Sequence, residues 1–246
     1  MRTLGIDLAS ADERTAGCLV EWGPNAGLVE ALVQPLDDAT IGELGRDVDV
    51  VAIDAPFGWP TAFVDAVTMH AGGGAWSAAS TMDLRFRATD LHVQRVTGLW
   101  PLSVSSERIG VVAFRASRLL STLRPADRAK DGSNGVLEVY PAAALARWRL
   151  PHRGYKRPGN VAERSAILDG LLRLVRLDLA AGVADDLVLS SDRLDALVSA
   201  IVARAYLLGE TDPIPETERA VARVEGWIHL PVARTAEQHF PIGTRR

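Results

Sequence analysis

A chain of 246 residues with 48% hydrophobic and 24% charged residues can bury one large α/β core and carries no signature of disorder. Its net charge of −4 argues against a protein that coats nucleic acid indiscriminately. There is no run of about 18 uncharged apolar residues to span a membrane and no basic-then-apolar leader, and the single Cys18 falls in a predicted strand, so a cytoplasmic protein without disulfides is expected.

The predicted elements begin with three short strands, 3–7, 15–21 and 28–34, the last two joined by a turn from Gly23 to Gly27. A helix follows over 38–45, with Asp38 or Thr40 to cap it and Gly45 to end it. Residues 48–54 then read as a strand that is apolar from Val50 to Ile53, the pattern of a strand buried on both faces in the middle of a mixed sheet. Three antiparallel strands, a helix and a central strand parallel to the first are the opening of a ribonuclease H-like domain. We expect one such α/β domain over 1–231, a helical insertion at about 61–130, and a tail over 232–246. The insertion mixes helical stretches (60–71, 111–123) with Gly72-Gly73-Gly74, which lacks the Lys-Ser/Thr of a phosphate loop and reads as a flexible connection. A strand over 135–140, a helix over 142–150 with Pro141 at its start, and two long helices over 161–179 and 192–205 complete the pattern.

Two of these strands run out of hydrophobic residues at an aspartate. Asp7 ends the first, and Asp54 ends the central one before Ala55-Pro56-Phe57-Gly58, a sequence that cannot extend a strand. Each could serve as an Asx turn or a helix cap. If the strands are neighbours, however, the two carboxylates meet at one sheet edge, about 4–7 Å apart, as ligands sharing a divalent cation would be. Asp192 and Asp195 stand three residues apart on one face at the start of the last long helix. Asp192 also suits the positive end of the helix dipole, whereas Asp195, a turn further in, could point at the same sheet edge. Carboxylates from two strands and a helix are a constellation for two-metal phosphodiester chemistry.

Residues 147–157 interleave cations with aromatics, including Trp148, Arg153, Tyr155 and Lys156, and such a segment can grip phosphates and stack bases or simply be a solvated loop. Only Lys130 and Lys156 among the 27 basic residues are lysines, which makes Lys156 the more notable cation. None of the five histidines forms a metal-spaced pair.

Seven phrases carry a resemblance over nearly the whole chain. They are Gly5-Ile6-Asp7, Ile53-Asp54-Ala55-Pro56, Arg87-Ala88-Thr89-Asp90, Glu138-Val139-Tyr140-Pro141, Gly154-Tyr155-Lys156, Asp192-Arg193-Leu194-Asp195-Ala196 and Glu225-Gly226-Trp227-Ile228. In this order they resemble domain-of-unknown-function family 429 (DUF429), a group described as predicted nucleases with a ribonuclease H-like fold. The resemblance implies that Asp7, Asp54 and Asp195 or Asp192 hold Mg²⁺ or Mn²⁺, with Glu138 as an additional carboxylate, catalytic as a ligand or only a structural partner, and Glu225, in a late strand, entering or bracing the site. Lys156, Tyr155, Arg153, Arg87 and Asp90 are then the candidate substrate contacts, and nucleic acid is the expected substrate. An alternative is a nucleotide-binding phosphotransferase or ATPase of the actin-like superfamily, but Asp7-Leu8-Ala9 and Asp54-Ala55-Pro56 lack the glycine turn its phosphate loop needs. A non-catalytic nucleic-acid-binding protein is the third reading.

Overall fold

The structure is a computed structural model and describes residues 1–124 and 126–234; most of the expected tail, residues 235–246, lies outside the described residues. In chain order the strands are β1 (Arg2–Asp7), β2 (Ala16–Trp22), β3 (Gly27–Val33), β4 (Val50–Asp54), β5 (Val136–Glu138) and β6 (Leu177–Asp178). The helices are α1 (Asp38–Leu44), α2 (Thr61–Ala71), α3 (Thr81–Arg85), α4 (Ala88–Thr97), α5 (Ile109–Leu123), α6 (Pro141–Arg147), α7 (Val161–Leu174), α8 (Val183–Leu189), α9 (Ser191–Leu207) and α10 (Arg219–Glu225). The chain divides into two compact units. One comprises Met1–Asp54, Val139–Asp212 and the described residues from His229 on; the other comprises Ala55–Glu138 and Pro213–Ile228.

Five of the six strands lie in the first unit, in the order β4-β1-β2-β3-β6. β1, β2 and β3 form an antiparallel meander, while β4 runs parallel to β1 and β6 parallel to β3. This mixed sheet flanked by helices is a ribonuclease H-like fold. Its central strands are apolar because both faces are covered: Leu4, Ile6, Val51, Ala52 and Ile53 are fully buried. Cys18, also fully buried in β2, has its thiol pushed up to about 12 by burial, so it holds no reactive thiolate at neutral pH.

Helix α9 lies directly against β1, and its small residues explain how. A Cβ built on Gly5 would meet the Ala196 carbonyl oxygen at 2.1 Å and the Ala200 amide nitrogen at 2.2 Å, so only glycine permits this approach. The buried Thr3 hydroxyl fastens the same contact, donating to the Ala200 carbonyl at 3.1 Å and accepting from the Trp22 indole at 2.8 Å. Gly5→Ala is therefore expected to force the helix off the strand and to destabilise the protein by about 3 kcal/mol or more. Urea unfolding would check this, and a loss below about 1 kcal/mol would contradict the packing described.

The expected helix over 161–179 ends early. Val175 is extended (φ −132°, ψ 142°), and β6 instead pairs with β3 through Gly27 and Leu177. Pairing along the open edge of β3 overrides the helical pattern, as tertiary context often does for short β-branched stretches. Helix α1 is capped by Asp37, which accepts from the Thr40 amide at 2.7 Å, rather than by Asp38 or Thr40. Glu225 is not in a strand but is the last residue of α10.

Candidate metal centre

Asp7 and Asp54 are direct partners in the parallel register of β1 and β4, so both side chains leave the same end of the sheet on the same face. Asp195 arrives from α9, whose Ser190 N-cap accepts from the Arg193 amide and sets the helix start. One carboxylate oxygen from each of the three lies within 4.8 Å of the others. Asp7 and Asp54 are partly exposed and Asp195 is fully buried, so the cluster has one closed wall and one open side.

The environment loads this cluster with electrostatic strain. Burial, then repulsion from Asp195, raises the Asp7 carboxyl well above the usual carboxylate range, and the nearby Lys156 offsets only part of this. Asp195 is also raised by burial, against the pull of Lys156 and a hydrogen bond from Tyr155. The Tyr155 hydroxyl donates to Asp195 Oδ1 at 2.8 Å. The Lys156 ammonium stands 2.5 Å from Asp195 Oδ2 and 3.9 Å from Asp54 Oδ2. Asp195 Oδ2 is buried, and the Lys156 ammonium is its nearest charged neighbour among the contacts described. The Lys156 side chain is half exposed; partial desolvation works against its charge, but Asp195 and Asp54 outweigh it and hold the lysine well above its ordinary value.

The loop carrying Tyr155 and Lys156 is braced from below. Arg164 in α7, only 5% exposed, donates through Nη1 to the carbonyl oxygens of Tyr155 (2.7 Å) and Arg157 (3.3 Å) and through Nε to that of Val188 (2.6 Å). Sequence reasoning missed this arginine because an arginine in an amphipathic helix reads as a solvated side chain. Tyr140, at the N-cap of α6, was also missed; burial and then the charge of Asp54 raise its hydroxyl pKa. Arg153 is exposed on the same loop as Lys156. The start of the basic stretch faces inward: Arg147 spends its guanidinium on Asp212 (2.8 Å) and on the Pro231 carbonyl, and Trp148 is fully buried. Asp192 is absent from the three-carboxylate group; it accepts from Arg14 at 3.1 Å and from Gln34 at 3.2 Å.

The remaining predicted site residues gather in the second unit, with one another. Arg87, 2% exposed, uses all five N–H groups there: Nε and Nη2 donate to Asp90, Nη1 and Nη2 to Glu138, and Nη1 also to the Glu225 carbonyl oxygen. No donor is left for a substrate, so in this structure Arg87 and Asp90 form a buried brace. Glu138 is likewise 2% exposed and accepts from the Phe57 amide as well as from Arg87. Gly226 (φ +94°) passes so close that a Cβ would sit 2.6 Å from Glu138 Oε2. Glu225 caps two helices at once, Oε1 accepting from the Thr61 amide at the start of α2 and Oε2 from the Ala88 amide at the start of α4.

Three carboxylates, two of them partly exposed and one fully buried, form a set of oxygen donors suited to a hard divalent cation. Fold and cluster together define a ribonuclease H-like protein with a three-aspartate cluster formed by the ends of β1 and β4 and by α9. The chain belongs to the family described as "Protein of unknown function (DUF429)", whose pattern it matches over residues 5–220. No curated protein and no solved structure matches it. Among the described residues, no helix is long and apolar enough to cross a membrane.

Proposed function

We propose that the protein is a Mg²⁺- or Mn²⁺-dependent hydrolase of phosphodiester bonds in nucleic acid, with Asp7, Asp54 and Asp195 holding the metal. The observation that carries this reading is the convergence of three carboxylates within 4.8 Å, one of them wholly buried. Such a concentration of negative charge is costly to maintain in an apolar setting and is rational where a cation is to be bound. A bound divalent ion supplies an acidified water and stabilises charge on the leaving oxygen. The chain's own groups prepare for that chemistry. Tyr155 fixes Asp195 through Oδ1, and Lys156 sets a positive charge against Oδ2. Arg153, exposed on the same loop, is placed to meet a phosphate.

The test is Mn²⁺-dependent cleavage of a panel of single-stranded, duplex and branched DNA and of RNA. Asp7→Asn is expected to lower kcat on the order of 10³-fold while leaving nucleic-acid binding largely intact. Arg153→Ala is expected to weaken binding across sequences and to reduce the salt dependence by about one phosphate contact. ATP hydrolysis that depends on Asp7, with no cleavage of any nucleic acid, would replace this reading with phosphotransfer.

A further inference from the structure

We infer that Lys156 occupies the place of a second cation, so that the centre takes one divalent ion rather than two. The inference rests on the metal reading above and specifies the stoichiometry of that site. The ammonium is shared between Asp195 Oδ2 (2.5 Å) and Asp54 Oδ2 (3.9 Å), two of the three carboxylates a metal pair would have to share. Ions in two-metal phosphodiester sites stand about 3.5–4 Å apart and are bridged in this way. The charge count agrees. Three aspartates and one ammonium leave a net charge of −2, which one divalent ion neutralises; two such ions would leave the half-buried centre at +2.

The lysine is delivered by an ordered loop rather than by chance. Tyr155 beside it is buried and hydrogen-bonded to Asp195, and Arg164 holds the carbonyl oxygens of Tyr155 and Arg157. The residue type is informative in a chain whose basic residues are otherwise nearly all arginine. An ammonium is a compact point charge, closer in shape to a metal ion than a guanidinium, which holds carboxylates in the plane of its fork. The other lysine, Lys130, donates to the Val224 carbonyl oxygen.

The experiment counts Mn²⁺ bound per chain by equilibrium dialysis, with electron paramagnetic resonance of the same samples. Wild type is expected to bind one ion per chain with the six-line spectrum of an isolated Mn²⁺. In Lys156→Met a second ion should enter, with the broadened spectrum of a spin-coupled pair. Two coupled ions in wild type would overturn the inference and leave the metal reading standing, as would Lys156→Met binding one ion with unchanged affinity. No bound ion in wild type would instead remove the metal reading itself. The wild-type count stands on its own if the variant does not fold.

Discussion

Arg87→Met should be among the most damaging single substitutions in the second unit, costing about 3–5 kcal/mol. Burial works against the arginine's charge, but Glu138 and Asp90 outweigh it and hold the guanidinium above its ordinary value. Removing it takes from Asp90 and Glu138, which are 0% and 2% exposed, the guanidinium that pairs with both. The methionine fills the volume but satisfies none of the freed oxygens, so the loss exceeds that of the contacts themselves. Against a typical total stability of about 5–15 kcal/mol, such a variant should unfold at markedly lower urea. The triple variant Arg87→Met/Asp90→Asn/Glu138→Gln removes the uncompensated charges along with the cation and is expected to recover part of the loss. A single variant within about 1 kcal/mol of wild type would show that this network does not hold the unit together.

Asp7→Asn should act in the opposite direction on stability, and metal should reverse the ranking. Because burial and Asp195 raise the folded-state pKa of Asp7, the native protein binds that proton more tightly than the unfolded chain does. As pH climbs from the ordinary aspartate range through the raised folded value, the unfolded state releases its proton first, and stability falls across that window. Metal-free Asp7→Asn is therefore expected to melt above wild type at pH 7, with the difference closing as pH falls toward 4. Asp195 repels Asp7 and titrates with it, so the difference reports the pair, whereas Glu138, also raised by burial, titrates in both proteins. Lys156 acts at the other end of the scale: its raised pKa gives stability that is present below 10.5 and lost as pH rises through the folded value. With Mn²⁺ at 100 times its Kd, wild type should gain about 2.7 kcal/mol by linkage, roughly 5–10 °C in Tm for a chain of this size. The variant should gain almost nothing. Equal metal-free melting curves at pH 7, or an equal response to Mn²⁺, would contradict the strained cluster.

What the sequence made legible follows from what each signal depends on. Asp7 and Asp54 stood out because an aspartate that closes an apolar strand is a local anomaly, and parallel pairing then follows from the order of elements. The choice between Asp192 and Asp195 was not legible, since both lie on one helix face. In the fold, Arg14 and Gln34, distant in sequence, engage Asp192, while Asp195 stands with Asp7 and Asp54. Arg87, Asp90, Glu138 and Glu225 looked functional for the same reason that they are structural. Charged residues at helix starts and strand ends can face a substrate or one another, and only the three-dimensional pairing tells these apart. The two residues of β6 carry no pattern of their own; their strand exists because β3 offers an edge. Lys156 was visible through its rarity, but its seat against Asp195 depends on the buried Arg164 bracing its loop.

The most direct measurement is the anomalous difference density of a crystal soaked in Mn²⁺. The expected result is a peak bonded at a little over 2 Å by oxygens of Asp7, Asp54 and Asp195. A crystal with no peak there at millimolar Mn²⁺, and the Lys156 ammonium still against Asp195 and Asp54, would contradict the assignment of this cluster as a metal centre.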